Sequence, residues 1–231
     1  MTKMNKPVVL YAILGVLTIL VVLFATGAIG SFTGNSLKLA AVGDRITFGK
    51  YRGEAVVWRI LTVEGKKMLA ISESVLDLQP YNIDEVDVTW ERCTLRDWLN
   101  RDFLYAAFSE SDREHISETR LVNSDNKKYS VYGGRDTQDS VFLLSIDEVE
   151  RYYKDDEDRA ATISASGVER SEERSRGLQI GEPWYWWLRS PGASSVKAAF
   201  IQGSGMINYS GAGPEVDDVY GGIRPAIWLN P

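Results

Sequence analysis

The longest apolar run in the chain comes first. Residues 8–29 read VVLYAILGVLTILVVLFATGAI, without a single charge, and about 20 apolar residues suffice for a helix to cross a bilayer core. Lys3 and Lys6 precede the run, and no acidic residue occurs before Asp44. The positive-inside bias then puts residues 1–7 in the cytoplasm and everything past residue 30 outside. The competing reading is a cleaved secretory signal, whose apolar stretch is only about 7–15 residues. Ala25, Gly27 and Ala28 make no more than a loose cleavage site, and no cysteine is there to carry a lipid. The pattern predicts an uncleaved signal-anchor over 8–29, a linker over 30–40 (GSFTGNSLKLA) and an extracytoplasmic domain over 41–231.

Beyond the linker the period falls to two. GDRITFGKY, AVVWRILTV and KKMLAISES alternate, are rich in β-branched and aromatic residues, and are punctuated by Gly49, Gly53 and Gly65. This predicts an antiparallel meander, followed by a loop that ends near Trp90. From Cys93 the spacing becomes helical. Leu95, Trp98, Leu99, Phe103 and Ala107 approximate one face, interrupted at Asn100, with Thr94 and Asp97 as a capping box. Ser109 with Asp112 and Ser145 with Glu148 start two further helices, separated by a polar loop and a short buried strand in VFLLS. Residues 154–181 are dense in charge with no hydrophobic period, which predicts a mobile or partly disordered insertion. The Asp155–Asp158 run inside it reads as a solvated acidic surface, with cation binding as the alternative. The last fifty residues carry three more strand-like stretches between glycine-rich turns. In WYWWLRS, Trp184, Trp186 and Leu188 point one way and Tyr185, Trp187 and Arg189 the other, so that strand should be central. Arg189 and Arg224 each precede a turn. A buried arginine there forks onto carbonyls or a carboxylate and braces a loop, the alternative being contact with a ligand. The fold class is α+β, with a mixed or antiparallel sheet and two to three helices after one transmembrane helix.

Composition narrows the chemistry. The chain has 26 basic and 32 acidic residues; setting Lys3, Lys6 and Lys38 aside leaves 23 basic residues for the domain. A surface of that sign disfavours nucleic acid and suits cations or basic partners. Cys93 and His115 are the only residues of their kinds. That excludes an intrachain disulfide, a thiolate zinc site and a histidine-based metal cluster. Cys93 reads as a small buried hydrophobe at a helix start and His115 as a solvated helix residue, a Cys–His dyad being the sharper alternative. There is no P-loop, dinucleotide fingerprint, nucleophile elbow or zincin motif.

The ordered set ITFGKY, WRIL, TWERCTLRDWLN, FLLSIDE, WWLRSPG and GGIRPAIWLN resembles a bacterial domain family of unknown function found in exported and surface proteins, and covers nearly all of 42–231. More remotely, helices between N-terminal strands and a Gly/Trp-rich C-terminal sheet look like the C-type-lectin-like fold. The Gly221–Pro225 ending is similar to that of formylglycine-generating-enzyme-like domains. These likenesses imply first and last strands that pair, with long loops on one side. Two active-site cysteines are required for formylglycine generation, and one is present. The sugar-binding calcium triplets also depart, because Glu182-Pro183 runs into Trp184 and Trp228 into Leu229-Asn230.

The expectation is therefore a single-pass anchored binding module, without catalysis, for a glycan, wall polymer or protein. Trp187, Arg189, Tyr209 and Tyr220 are the candidate ligand contacts, since aromatic faces stack on sugars and anchor interfaces. Glu215, Asp217 and Asp218 are candidate ligands for calcium, the one cofactor with any support. Two alternatives stand: a hydrolase or transferase pairing Asp217 or Asp218 with Asp147 or Glu148, and an accessory subunit of a membrane complex.

Overall fold

A computed structural model of the chain describes residues 29–31 and 40–231. Residues 8–28 of the expected span lie outside them, and among the described residues no helix is long and apolar enough to cross a membrane. A short strand β1 (Ile29–Ser31) runs parallel to β2 (Arg45–Tyr51), which opens the expected meander with β3 (Glu54–Glu64) and β4 (Lys67–Ser72). Arg52 and Gly53, with φ of 48° and 83°, make the two-residue connection that matches the twist of paired strands. At Gly49 (φ 70°) the β2–β3 register shifts. A Cβ there would lie 2.6 Å from the Ala107 carbonyl oxygen and from the Phe108 ring, so only glycine lets the helical layer sit down on the strand.

The chain then leaves the sheet through β5 (Asp77–Leu78) and enters α1 (Thr94–Trp98), a π turn (Leu99–Phe103) and α2 (Leu104–Ala107). The interruption expected at Asn100 is this π turn. The Asn100 side-chain amide donates to the carbonyls of Arg96 and Val141, and its oxygen accepts from the Ser140 and Val141 amides. The widened turn thus docks the helix on a strand. No capping box forms at Thr94, because its hydroxyl accepts from the Ile83 amide instead and Cys93 is the capping position. The boxes at Ser109 and Ser145 are both present, opening α3 (Glu110–Glu114) and, after β6 (Thr119–Leu121), β7 (Thr137–Asp139) and β8 (Val141–Phe142), α4 (Ile146–Tyr152).

The charged stretch 154–181 contains two short helices where a mobile or partly disordered insertion was expected. It holds α5 (Asp156–Arg159), capped by Asp155, and α6 (Ala165–Glu173), capped by Ser164. Small polar contacts fix α6 in place of an apolar stripe. Ser166 donates to the Leu76 carbonyl, Arg170 reaches the fully buried Asp77 at 3.0 Å, and Gly167 packs on Ile163 and the Val75 carbonyl. A helix docked through Ser, Gly and Arg carries no 3.6-residue hydrophobic period to read.

The C-terminal segment supplies β9 (Trp186–Pro191), β10 (Ala198–Ile201), β11 (Ile207–Asn208), β12 (Gly222–Ile223) and β13 (Ala226–Leu229). They complete a six-stranded sheet in the order β1-β2-β3-β4-β13-β8 and a five-stranded sheet in the order β11-β10-β9-β12-β5, beside a β6-β7 ribbon. Every residue of β9 is buried, as its two aromatic faces require. The last strand, β13, pairs antiparallel with β4 and β8. It therefore closes on the third meander strand and not on the first, because β1 and β3 occupy both edges of β2. The architecture is α+β with predominantly antiparallel sheets.

Gly49→Ala should cost about 1–3 kcal/mol, the range for overpacking a close contact, on top of the positive φ. Urea unfolding of the purified protein checks this; a midpoint unchanged from wild type would mean that β2 and the α2 end are not in contact.

Candidate functional site

A groove of about 480 Å³ opens beside the N-terminus of α4, and a second cavity of about 200 Å³ adjoins it, sharing Ser124 and Asp147. One wall of the larger cavity is the β6 strand with the residues that follow it. The opposite side is formed by Asp147 and Glu148 of α4, and one end by Trp228 of β13 with Glu64 and Lys67 from the β3–β4 turn. The smaller cavity continues past Lys127 to Glu150 and Tyr209.

Arg189 forms the floor. Its side chain is 3 % exposed and all five N–H donors are engaged. Nε donates to the Asn123 side chain at 3.1 Å. Nη1 donates to the Leu143 carbonyl at 2.8 Å and to Glu148, and Nη2 to the second Glu148 oxygen at 3.1 Å and to the Val122 carbonyl at 3.3 Å. The arginine is a brace, as its position before a turn implied, and has no donor left for a ligand. Glu148 does two jobs at once: the same oxygen that receives Nη1 accepts the Ser145 amide in the capping box. Helix start, strand and loop wall are thereby held in one geometry.

The other wall is fixed just as firmly. Asn126 donates to the carbonyls of Pro191 and Tyr209 at 2.8 Å and of Gly192 at 3.2 Å, while its oxygen accepts the Lys128 amide. Tyr209 donates its hydroxyl to Glu150 at 2.7 Å and carries the Lys128 ammonium over its ring at 4.6 Å. Burial, reinforced by Glu150, pushes the Tyr209 phenol up to about 12, so it stays a neutral donor. Asp147 is half exposed and faces Lys127 at 3.3 Å. The two adjoining cavities thus present carboxylate and ammonium groups, with one half-buried aromatic in the lining of each, Trp228 in the larger and Tyr209 in the smaller.

Of the four candidate contacts, Tyr209 lines the smaller cavity and Arg189 underlies the larger. Trp187 is fully buried, ringed by Tyr81, Tyr185 and Phe200, with its indole N–H on the Gln79 carbonyl at 3.1 Å. Its alternation put it on a second buried face of β9 and not on a surface, so it is not a ligand contact. Tyr220 is half-buried in a separate aromatic cluster with Trp184. Glu215 is paired with Lys197 at 2.6 Å, Asp218 accepts from Tyr185 and from the Tyr220 amide, and Asp217 is exposed. No group of three or more His, Cys, Asp or Glu able to hold a metal ion occurs among the described residues. Asp147 and Glu148 line the groove, whereas Asp217 and Asp218 do not, so the hydrolase pairing is not brought together there. Cys93 is buried, and burial pushes its thiol up to about 12, leaving it unreactive at neutral pH. His115 ties the C-terminus, its Nδ1 lying 3.0 Å from the Asn230 carbonyl oxygen. Asn123, Asn126, Glu150 and Trp228 were not legible as site residues: nothing in NSDNKK sets a bracing asparagine apart from a turn asparagine.

Arg189→Leu should destabilise the fold by about 2–4 kcal/mol, below the full cost of breaking a buried pair because the Glu148 carboxylate left behind is 23 % exposed. Arg189→Leu/Glu148→Leu should cost clearly less than the two single changes combined. Additivity within about 0.5 kcal/mol in a urea double-mutant cycle would show that the pair is not coupled.

No curated protein and no solved structure matches the chain. A family model described as a domain of unknown function matches residues 64–231, which takes in both cavities, Arg189 and all of the C-terminal strands. Matched over most of its length by that model, the chain belongs to the DUF6273 family.

Proposed function

We propose that this protein is a membrane-anchored extracytoplasmic binding module, and that the groove beside α4 takes up a glycan or glycan-containing wall polymer. The observation that carries this reading is a pair of adjoining polar cavities with hydrogen-bonded walls and a half-buried aromatic side chain in the lining of each. Sugar rings need that combination: planar apolar faces to stack on their C–H surfaces, and fixed carboxylates and hydroxyls to meet their hydroxyl groups. Preformed walls cut the ordering cost that weakens binding by loops. The uncharged run over 8–29 and the lysines before it support the anchored, outward topology. Return of the C-terminal strand to the first sheet supports a C-type-lectin-like reading of the architecture, though with closure on β4. Glu215 and Asp218 have partners of their own and lie outside the lining of the groove, so this reading gives the candidate calcium ligands no part in it.

A soluble fragment of residues 38–231 should bind a subset of ligands on a glycan and cell-wall array, equally well with calcium and with chelator. Asp147→Ala and Trp228→Ala should each weaken that binding about tenfold, with the melting temperature of the Asp147 variant kept. Binding that survives both changes, or silence across the array, would sink the groove as a glycan site.

Topology is checked separately. In intact cells, protease added outside should degrade a C-terminal tag and spare an N-terminal one. Protection of the C-terminal tag would overturn the outward orientation.

A further inference from the structure

A second site lies apart from the groove and does not depend on it. The Arg176 guanidinium sits between two aromatic rings, 4.8 Å from the Trp184 centroid and 4.7 Å from that of Tyr220. Both rings are locked. Trp184 donates its indole N–H to the Tyr220 carbonyl at 2.9 Å, and Tyr220 donates its hydroxyl to the Arg174 carbonyl at 2.9 Å. Tyr185 packs on Trp184 at 5.7 Å and holds the Asp218 carboxylate nearby at 2.9 Å. The walls are a prepared cation cage, with negative ring faces and a carboxylate close at hand.

The group inside it is held far less firmly than the walls. Arg176 is exposed, and among the described residues its side chain makes no hydrogen bond and no ion pair. Two left-handed residues flank it, Ser175 at φ 61° and Gly177 at φ 47°. For a serine that conformation is uncommon. Exposed cation–π contacts are weak, so an occupant held only by ring faces is readily displaced.

We propose that Trp184 and Tyr220 form a recognition site for the arginine side chain of a basic protein partner, which Arg176 fills in cis until the partner displaces it. The planar guanidinium already seated between the rings shows which cation shape the spacing accepts. The chain's net charge of −6 favours approach of a basic segment. Arg176 keeps the rings from presenting a bare apolar face and sets a threshold that a stray cation does not cross.

The test is an NMR titration of the full-length 15N-labelled chain in detergent, followed at the Trp184 indole N–H, with acetyl-arginine-amide as the probe. Trp184→Phe identifies the resonance. Arg176→Ala should bind the probe about fivefold to tenfold more tightly than wild type, the loss of one competing exposed cation–π occupant. Tyr220→Ala in the Arg176→Ala background should abolish the shift while the remaining indole resonances keep their positions, which separates a lost wall from a lost fold. Absence of saturable binding to Arg176→Ala, or equal affinity in wild type, would overturn the proposal. So would tighter binding of tetramethylammonium than of acetyl-arginine-amide, which would make the cage one for quaternary ammonium groups.

Discussion

Two residues, Arg224 and Pro225, separate a strand of one sheet from a strand of the other, and the whole domain hangs on that crossing. β12 belongs to the five-stranded sheet and β13 to the six-stranded one. Proline cannot continue a ladder on its amide side, so it is well placed where the chain changes sheets. Arg224 is completely buried there and donates to the carbonyl of Ser72, at the end of β4, at 2.7 Å. It lies over the Trp186 ring of β9 at 5.1 Å and approaches the Arg159 carbonyl, which closes α5, at 3.4 Å. One side chain therefore touches both sheets and the helix of the charged insertion. Burial lowers its affinity for the proton, and among the described residues no carboxylate pairs with it directly. Carbonyl oxygens and ring faces share that positive charge among three elements, so none of the three can move alone.

The two glycines before this crossing follow from the same crowding. A side chain at Gly221 would enter the Trp187 indole and the Gln79 carbonyl, and one at Gly222 would enter the Tyr185 carbonyl. β12 can approach β9 this closely only as bare backbone. With β12 seated, β13 falls into the gap between β4 and β8 and carries Trp228 to the mouth of the groove. Arg189 repeats the device on the other side of β9, joining strand, α4 and loop wall. The domain is assembled by arginines used as internal connectors, and its groove is the space left between the parts they connect.

Where apolar period decides an element, the sequence was readable. The meander, the interruption at Asn100, the capping boxes at Ser109 and Ser145, and the buried strands at 141–142 and 186–191 all follow from spacing. Placement failed where polar side chains or close backbone approach replaced apolar periodicity. α6 is seated by Ser166, Arg170 and Gly167 and left no stripe in the sequence. Thr94 had the right identity for a cap but was nearer to Ile83 than to its own helix. The last strand was expected beside the first, but pairing partners depend on which sheet edge remains open, a property of the assembled fold. For the candidate site, Arg189 was legible as a brace, and Tyr209, singled out for its aromatic face, lines the smaller cavity. The asparagines that fix the walls were not, since their role depends on carbonyls up to 83 positions away.

Aromatic content alone was a poor guide to function, and the individual rings show why. Of the seven Trp, Trp58, Trp90, Trp186 and Trp187 are fully buried, while Trp98, Trp184 and Trp228 are half-buried. The buried four serve the packing of the two sheets and the helical layer. Trp98 packs against Phe103 at 5.7 Å within the helical layer. Trp184 and Trp228 combine a partly open face with charged neighbours, Arg176 for the first and Glu64 and Lys67 for the second, and these two mark the two proposed sites. Both depend on strands that the Arg224 crossing positions: Trp228 is part of β13, and Trp184 lies two residues before β9. An exposed indole is useful for recognition only if its orientation is fixed, because a ring that must first be ordered loses much of what stacking gains. The same internal arginines that close the fold therefore supply the rigidity on which recognition at its surface depends.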